Sequence, residues 1–167
     1  MSRPHVLVAE SAGFSPRAAA LLRDAGELTL ADLDRDDLLR AAGDADVLWV
    51  RLRHRIDAEV LHAAPRLRML VTPTTGLNHV DLAAARARDV DVLSLRGEVA
   101  FLRDVRATAE HTIALILALL RRLPAAAAHA AAGGWERDRF RGHELYGRTV
   151  GVVGYGRLGR IVARYLT

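Results

Sequence analysis

The chain has 167 residues, of which 51% are hydrophobic and 26% are charged, a balance that is typical of a folded protein and excludes a disordered one. It contains no cysteine, so a disulfide framework and a thiolate metal site are both excluded. The net charge of +4 comes from arginines interspersed with acidic residues, and no basic run alternates with aromatic residues. This pattern predicts a solvated surface of mixed charge and no nucleic-acid partner.

The longest apolar run, residues 113–120, is far shorter than the roughly 18 residues that a membrane span requires. The N-terminal residues lack the apolar stretch of a signal peptide. The sequence therefore predicts a cytoplasmic protein without a membrane partner.

Short apolar runs alternate with helical segments in the first part of the chain. Ser15 followed by Pro16 is typical of a helix start, and Gly26 of its end. Asp57 is typical of a cap on a helix that stops before Pro65. The predicted strands are residues 6–9, 28–30, 47–50, 68–71 and 90–93, and further helices are predicted at 34–42 and 81–88. This alternation predicts an α/β fold in which a parallel sheet carries helices on both faces.

The pattern changes after Gly97. A long helix is predicted over residues 104–122, ended by Pro124, and its nearly all-round apolar surface predicts burial between layers or at a subunit contact. The alanine-rich residues 125–132 predict a second, packed helix. A charged loop over 135–147 then leads to a final predicted strand.

A glycine-rich turn lies between that strand, residues 150–153, and a predicted helix over 160–166. The turn reads Gly154-Tyr155-Gly156-Arg157-Leu158-Gly159, a spacing that suits a dinucleotide pyrophosphate. The first glycine permits the tight turn, the second lets the backbone approach the phosphates, and the third lets the helix pack on the strand. The helix N-terminus adds unpaired N–H groups and a partial positive charge. A nicotinamide dinucleotide is therefore predicted as the cofactor, with a plain strand-to-helix turn as the alternative.

An acidic residue that would hold the cofactor ribose is expected about 20 residues after such a turn. Thr167 is the last residue of the sequence and lies well short of that position. The sequence therefore predicts NAD and leaves NADP open.

Four separated blocks resemble the D-isomer-specific 2-hydroxyacid dehydrogenase family, and within it the phosphoglycerate dehydrogenase-like branch. The blocks are Val50-Arg51 with Arg55-Ile56-Asp57, TTGLNHVDL at 74–82, TAEHT at 108–112, and Trp135 with LYGRTVG at 145–151. The resemblance implies the N-terminal half of such a protein. Residues 1–98 would form a flavodoxin-like substrate-binding domain with a parallel sheet, and residues 99–167 the truncated start of a Rossmann NAD-binding domain. It also implies a homodimer, because the family usually dimerises through the cofactor domain.

The resemblance further implies individual site residues. Arg51, Thr75 and Gly76 match positions that face the substrate in the family, and Thr75 would also lie beside the nicotinamide. Thr108 matches a second position near the nicotinamide. The cofactor phosphates would be bound at Gly154, Tyr155, Gly156, Arg157, Leu158 and Gly159. The residues alone also allow structural explanations. Arg51 is then a surface arginine, Thr75 and Gly76 form a simple glycine turn, and Thr108 is a helix-start threonine.

The family's catalytic Arg, Glu and His lie beyond the cofactor turn, so the resemblance implies no catalytic residue within this chain. His79 and His111 are predicted to be structural histidines. Glu110 and His111 lack the second histidine of a zincin-type motif, and no metal site is predicted.

The implied function is hydride transfer between a small D-2-hydroxy or 2-oxo acid and NAD, with the 167-residue chain alone inactive. Arg51, Arg53 and Arg55 would share one side if the strand persisted, which fits a phosphorylated substrate such as 3-phosphoglycerate. A solvated basic edge is the alternative. The competing hypotheses are a non-enzymatic, NAD-binding corepressor-like protein of the same fold and a remnant without function.

Overall fold

A computed structural model describes residues 3–167, and the chain forms two compact units. The first unit ends at Glu98 and the second is Val99–Thr167.

The first unit is built on a five-stranded sheet in which every strand pairing is parallel. Its strands are β1 His5–Val8, β2 Glu27–Leu30, β3 Val47–Trp49, β4 Met69–Thr72 and β5 Asp91–Ser94, in the spatial order β2-β1-β3-β4-β5. Each predicted strand lies within one residue of an observed one. The prediction of an α/β fold with a parallel sheet is therefore confirmed.

Four helices connect these strands, and a side-chain cap begins each of them. The helices are α1 Pro16–Ala25, α2 Arg35–Ala41, α3 Ala58–Ala63 and α4 Leu82–Ala87. Ser15 caps α1, as predicted, and Gly26 ends it. The carboxylates of Asp34, Asp57 and Asp81 cap the other three by accepting a backbone N–H three residues further on.

The core fills both faces of the sheet. Leu7, Leu48 and Leu70 are at most 1% exposed and belong to the cluster that α2, α3 and α4 cover. Val6 and Val8 point to the opposite face because side chains alternate along a strand, and they are also buried. Because crossovers between parallel strands are almost always right-handed, this strand order assigns α1 to that second face, as the prediction of helices on both faces expects.

The second unit is helical. It contains α5 Val99–Leu102, α6 Ala107–Leu120, α7 Leu123–Ala131 and α8 Arg157–Tyr165, with a single 3-10 turn over Arg137–Phe140. The predicted helix over 104–122 is thus shorter than expected. Arg122 adopts a left-handed conformation, which interrupts the helix between α6 and α7. Pro124 lies in the first turn of α7 and does not end α6.

The expected burial of α6 between layers is wrong for the residues that the structure describes. Leu115 is 56% exposed and Leu119 is 80% exposed, and Ala109 is the residue of this helix that is fully buried. The other expectation, a subunit contact, stays a prediction.

The predicted strand over 150–153 is also wrong, because these residues form no strand in the structure. A parallel strand needs neighbours for its backbone N–H and C=O groups, and no strand is assigned in Val99–Thr167. Val153 consequently lies fully exposed.

No single helix within residues 3–167 is long and apolar enough to cross a membrane. The segments Val99–Leu120 and Leu123–Ala131 reach the required length and composition only as a pair bent by 69°.

A partly buried carboxylate ties the amino ends of the strands together. Asp46 Oδ2 accepts a hydrogen bond from the His5 backbone N–H at 2.8 Å and lies 3.0 Å from Arg66 Nη2. The His5 N–H is the main cause that holds the pKa of Asp46 below its ordinary value, and Arg66 adds to it. The lowered pKa means that the ionised carboxylate stabilises the fold.

We therefore expect Asp46→Ala to lower the free energy of unfolding by about 1–3 kcal/mol at neutral pH, since it leaves a donor unsatisfied. The carboxylate's contribution is complete above the ordinary carboxyl pKa of about 4 and is lost as the pH falls through the lowered value. Chemical denaturation of parent and variant at several pH values measures the difference, which should shrink in acid. Asp44→Ala, at an exposed carboxylate nearby, should have little effect. An equal loss in both variants would contradict the assignment.

Candidate functional site

The carboxyl ends of β1, β3 and β4 lie side by side in the first unit and lead into loops that carry polar residues. Ligands of open parallel α/β sheets bind at this edge, where the strands end. Glu10 follows β1, Arg51 follows β3, and Thr72 ends β4. The edge is therefore the candidate substrate site of this unit.

Glu10 is a buried carboxylate at the centre of this edge. Its side chain is 4% exposed, and its two oxygens accept from the backbone N–H groups of Arg51 at 2.8 Å and Arg53 at 3.3 Å. The carboxylate thereby fixes the start of the loop that follows β3. Sequence reasoning missed Glu10, although an acidic residue directly after the first buried strand was an available signal.

The side chain of Arg51 lies against the same carboxylate. Its Nε is 3.8 Å from Glu10 Oε2, and its Nη2 donates to the carbonyl oxygens of Ala12 at 2.7 Å and Glu10 at 3.3 Å. The side chain is 40% exposed. Arg51 thus lies at the carboxyl edge of the sheet, where its guanidinium donates to carbonyl oxygens of the chain itself.

The strand does not continue to the three arginines near this loop, so the condition for their sharing one side is not met. β3 ends at Trp49 and the chain bends over residues 52–54. Arg53 is paired with Asp32 at 3.2 Å, while the exposed Arg55 offers its carbonyl to Arg35 at 2.6 Å. The loop instead exposes Leu52, which is 68% accessible.

The loop after β4 is shaped by hydroxyl groups. Thr72 Oγ1 lies 3.1 Å from Thr74 Oγ1 and 3.4 Å from His79 Nε2, and the Thr74 hydroxyl donates to the Gly76 carbonyl at 2.8 Å. Thr75 and Gly76 are exposed at the tip of this loop, where an added Cβ on Gly76 would meet nothing within 4 Å. Their accessible backbone and hydroxyl can serve as donors for an anion.

His79 stands at the base of this loop. Burial lowers its pKa from the ordinary value, and the nearby charge of Glu10 opposes the shift without reversing it. Its carbonyl accepts from Ile56 N–H at 2.7 Å, and the Ile56 carbonyl accepts from Asp81 N–H at 2.8 Å. These bonds hold the loop after β4 beside the loop after β3.

The glycine turn of the second unit has the backbone that its sequence predicts. Gly154 has φ +92°, a left-handed conformation that favours glycine. Gly156 caps α8, and an added Cβ there would meet nothing within 4 Å, so its backbone is open to a close approach. At Gly159 an added Cβ would lie 2.2 Å from the Gly154 carbonyl oxygen, so the helix packs directly on the turn. The exposed Tyr155 and the half-buried Leu158 complete it.

Arg157 lies at the first position of α8, but its side chain points into its own unit. Its Nη1 donates to the carbonyls of Leu102 at 3.0 Å and Val105 at 3.1 Å. The clamp ties the helix N-terminus to the α5–α6 connection and leaves backbone N–H groups to meet an anion. Thr108 lies exposed in the first turn of α6.

Neither unit shows a group of three His, Asp or Glu residues placed to hold a metal ion among residues 3–167. What the two units offer is a polar sheet edge with exposed donors and a helix N-terminus preceded by a glycine turn. The first suits a small carboxylic acid and the second a pyrophosphate.

Comparison with known proteins supports the same interpretation. Residues 6–153 match the profile of the D-isomer specific 2-hydroxyacid dehydrogenase catalytic domain. The chain is 44% identical over 98% of its length to the D-3-phosphoglycerate dehydrogenase of Mycobacterium tuberculosis and covers 30% of that protein. This chain therefore belongs to the D-isomer specific 2-hydroxyacid dehydrogenase family.

Solved structures share this fold. A crystal structure of a Thermus thermophilus protein superposes with a TM-score of 0.84 at 35% identity, with 97% of this chain and 52% of that one covered. The D-lactate dehydrogenase of Aquifex aeolicus, crystallised with NAD and lactic acid, superposes with a TM-score of 0.78 at 25% identity, with 97% and 47% covered. The chain thus spans less than a third of its M. tuberculosis relative and about half of these solved chains.

The second and third glycines of the turn provide a matched test of its packing. Gly159→Ala should destabilise the second unit by about 1–3 kcal/mol, because its Cβ would overlap the Gly154 carbonyl. Gly156→Ala should leave stability nearly unchanged, since its Cβ would enter open space. Thermal unfolding followed by circular dichroism compares the two. A Gly156→Ala loss as large as that of Gly159→Ala would contradict this packing.

Proposed function

We propose that this chain supplies the substrate-binding unit and the pyrophosphate-binding turn of an NAD-dependent oxidoreductase acting on a D-2-hydroxy acid. The observation that carries the proposal is the turn from Gly154 to Gly159, whose open Gly156 and close-packed Gly159 suit a dinucleotide. Family membership supports the reaction class. Residues 1–98 would act as the substrate domain and residues 99–167 as the start of the cofactor domain.

In this proposal NAD, when bound, would supply a nicotinamide that exchanges a hydride with C2 of the substrate. The residues of this chain bind and orient. Arg51, Thr75 and Gly76 would face the hydroxy acid, with the Thr75 hydroxyl and the Gly76 backbone donating to its carboxylate. Thr75 and Thr108 would approach the nicotinamide, and the turn from Gly154 to Gly159 would hold the phosphates through the N–H groups at the start of α8.

The catalytic Arg, Glu and His of the family would lie outside residues 1–167, so the chain alone would not turn over. The proposal extends to a cytoplasmic homodimer of the complete protein. The exposed apolar surface of α6 and the 96% exposed Trp135 support a contact made by the second unit. The alternative is a corepressor-like protein that binds NAD without catalysis.

Two substrate classes are compatible with this proposal. The name of the M. tuberculosis relative favours 3-phosphoglycerate. Arg51 and Arg53 each face an acidic residue of the chain itself, Glu10 and Asp32 respectively, and this favours an acid without a phosphate group.

Cofactor binding is the first test. Titration of the chain with NADH should give tryptophan-to-nicotinamide energy transfer, and Gly156→Val should weaken binding by at least about tenfold, since its side chain would fill the space that the phosphates approach. Gly151→Val, the same change just outside the turn, is the matched control and should bind as the parent does. Equal binding by both variants would rule out this turn as the phosphate site, and no energy transfer in the parent would favour a remnant.

Activity is the second test. The 167-residue chain, assayed with NAD and a series of D-2-hydroxy acids, should produce no NADH above a blank without protein, because no acid/base pair is supplied. Measurable turnover would show that the chain contains its own catalytic groups. If NADH binds, a reading frame that continues into Arg, Glu and His at the family's spacing favours the enzyme over the corepressor-like alternative.

A further inference from the structure

The loop after β3 combines a buried negative charge with an exposed apolar side chain, and this combination bears on the substrate. A loop built to bind a phosphate group would present guanidinium groups whose N–H donors are unoccupied. Here the loop begins with two backbone N–H groups fixed on Glu10, and the guanidinium nearest to that carboxylate donates to carbonyl oxygens of the chain.

The local charges leave little attraction for a dianion. Glu10 lies 3.8 Å from the Nε of Arg51 and is 4% exposed, so its charge is screened poorly by water and offsets that of the guanidinium. Asp32 lies 3.2 Å from Arg53, although both of these side chains are more than 40% exposed and water screens their charges more strongly. A phosphate bound at Arg51 would also lie close to the Glu10 carboxylate, and like charges at that range repel. Arg55 is a further exposed cation of this segment.

The side chain that the loop does present is Leu52. It is 68% exposed at the carboxyl edge of β3, beside the loop that carries Thr75 and Gly76. An apolar substituent on a ligand bound at those donors would bury part of this leucine, which is favourable in proportion to the area removed from water.

We propose that Glu10 is a positioning residue that fixes the loop and offsets the charge of Arg51, so that Leu52 meets an apolar substituent of the substrate instead of a phosphate group. This inference rests on the proposed function, since it takes the sheet edge as the binding site of a 2-hydroxy acid. It assigns to this chain a substrate class that differs from 3-phosphoglycerate, the compound in the name of its M. tuberculosis relative.

The substrate half is tested on the 167-residue chain by amide chemical shifts in nuclear magnetic resonance spectra, with NAD present. The probes are D-2-hydroxy-4-methylpentanoate, D-3-phosphoglycerate and inorganic phosphate. We expect the branched acid to shift the amides of residues 51–53 and of Thr75 and Gly76. D-3-phosphoglycerate should bind about tenfold more weakly, the scale of discrimination by an apolar contact.

Leu52→Ser should weaken binding of the branched acid by about tenfold while the unfolding midpoint stays close to that of the parent. Leu21→Ser, the same change at a 63% exposed leucine on α1, is the matched control and should bind as the parent does. Stronger shifts of residues 51–53 with D-3-phosphoglycerate or phosphate, abolished by Arg55→Ala, would overturn the inference and leave the proposed function standing. Shifts at Thr75 and Gly76 alone would overturn it in the same way. If no probe moves Thr75 or Gly76, the proposed function fails with it.

The positioning half is tested by amide hydrogen exchange, which needs no ligand. Glu10→Ala should remove the protection of the Arg51 and Arg53 amides while Leu7 and Leu48 stay protected. Glu10→Gln keeps one acceptor oxygen and should retain protection at one of the two amides. Unchanged exchange at both amides in Glu10→Ala would overturn the role of Glu10. Should that variant fail to fold, the Glu10→Gln variant and the Leu52→Ser titration still decide the proposal.

Discussion

A row of three leucines across the central strands is the constraint on which the rest of the first unit depends. Leu7 pairs with Leu48, and Leu48 with Leu70, at one level of the sheet, and all three are buried on the same face. A slip of one residue in any strand would turn its leucine to the opposite face, so the row fixes the register. The same register decides where each strand ends and therefore brings Glu10, Arg51 and Thr72 to one edge.

Local sequence signals predicted this unit well because its elements are short and strongly marked. Buried parallel strands are continuous apolar runs, and the helices between them begin at residues whose side chains can cap. Ser15 and Asp57 illustrate the second point, since each accepts the backbone N–H that its position predicts. Residues 150–153 have the apolar run of a strand, but a strand also requires a neighbouring strand. The local sequence pattern does not show whether such a neighbour is present.

The site was less accessible to sequence reasoning because its geometry depends on contacts between distant residues. Arg157 was predicted at the cofactor phosphates by its place in the turn, and nothing in the sequence indicated that its side chain donates to the carbonyls of Leu102 and Val105, more than fifty positions earlier. Glu10 meets Arg51 and Arg53 about forty positions later. In both cases a charged group acts on backbone amides or carbonyls. The sequence gives no sign of such contacts, because the backbone partner can belong to any residue type. Every residue carries a carbonyl group, and every residue except proline carries a backbone N–H group.

The helix caps make the two faces of the sheet chemically unequal. α2, α3 and α4, which cover one face, begin at the carboxylates of Asp34, Asp57 and Asp81, whereas α1 on the other begins at the hydroxyl of Ser15. A carboxylate places a full negative charge beside the partial positive charge of a helix N-terminus, whereas a hydroxyl group offers a neutral acceptor. The layer of three helices is therefore anchored by charge-assisted caps, and α1 by a neutral one.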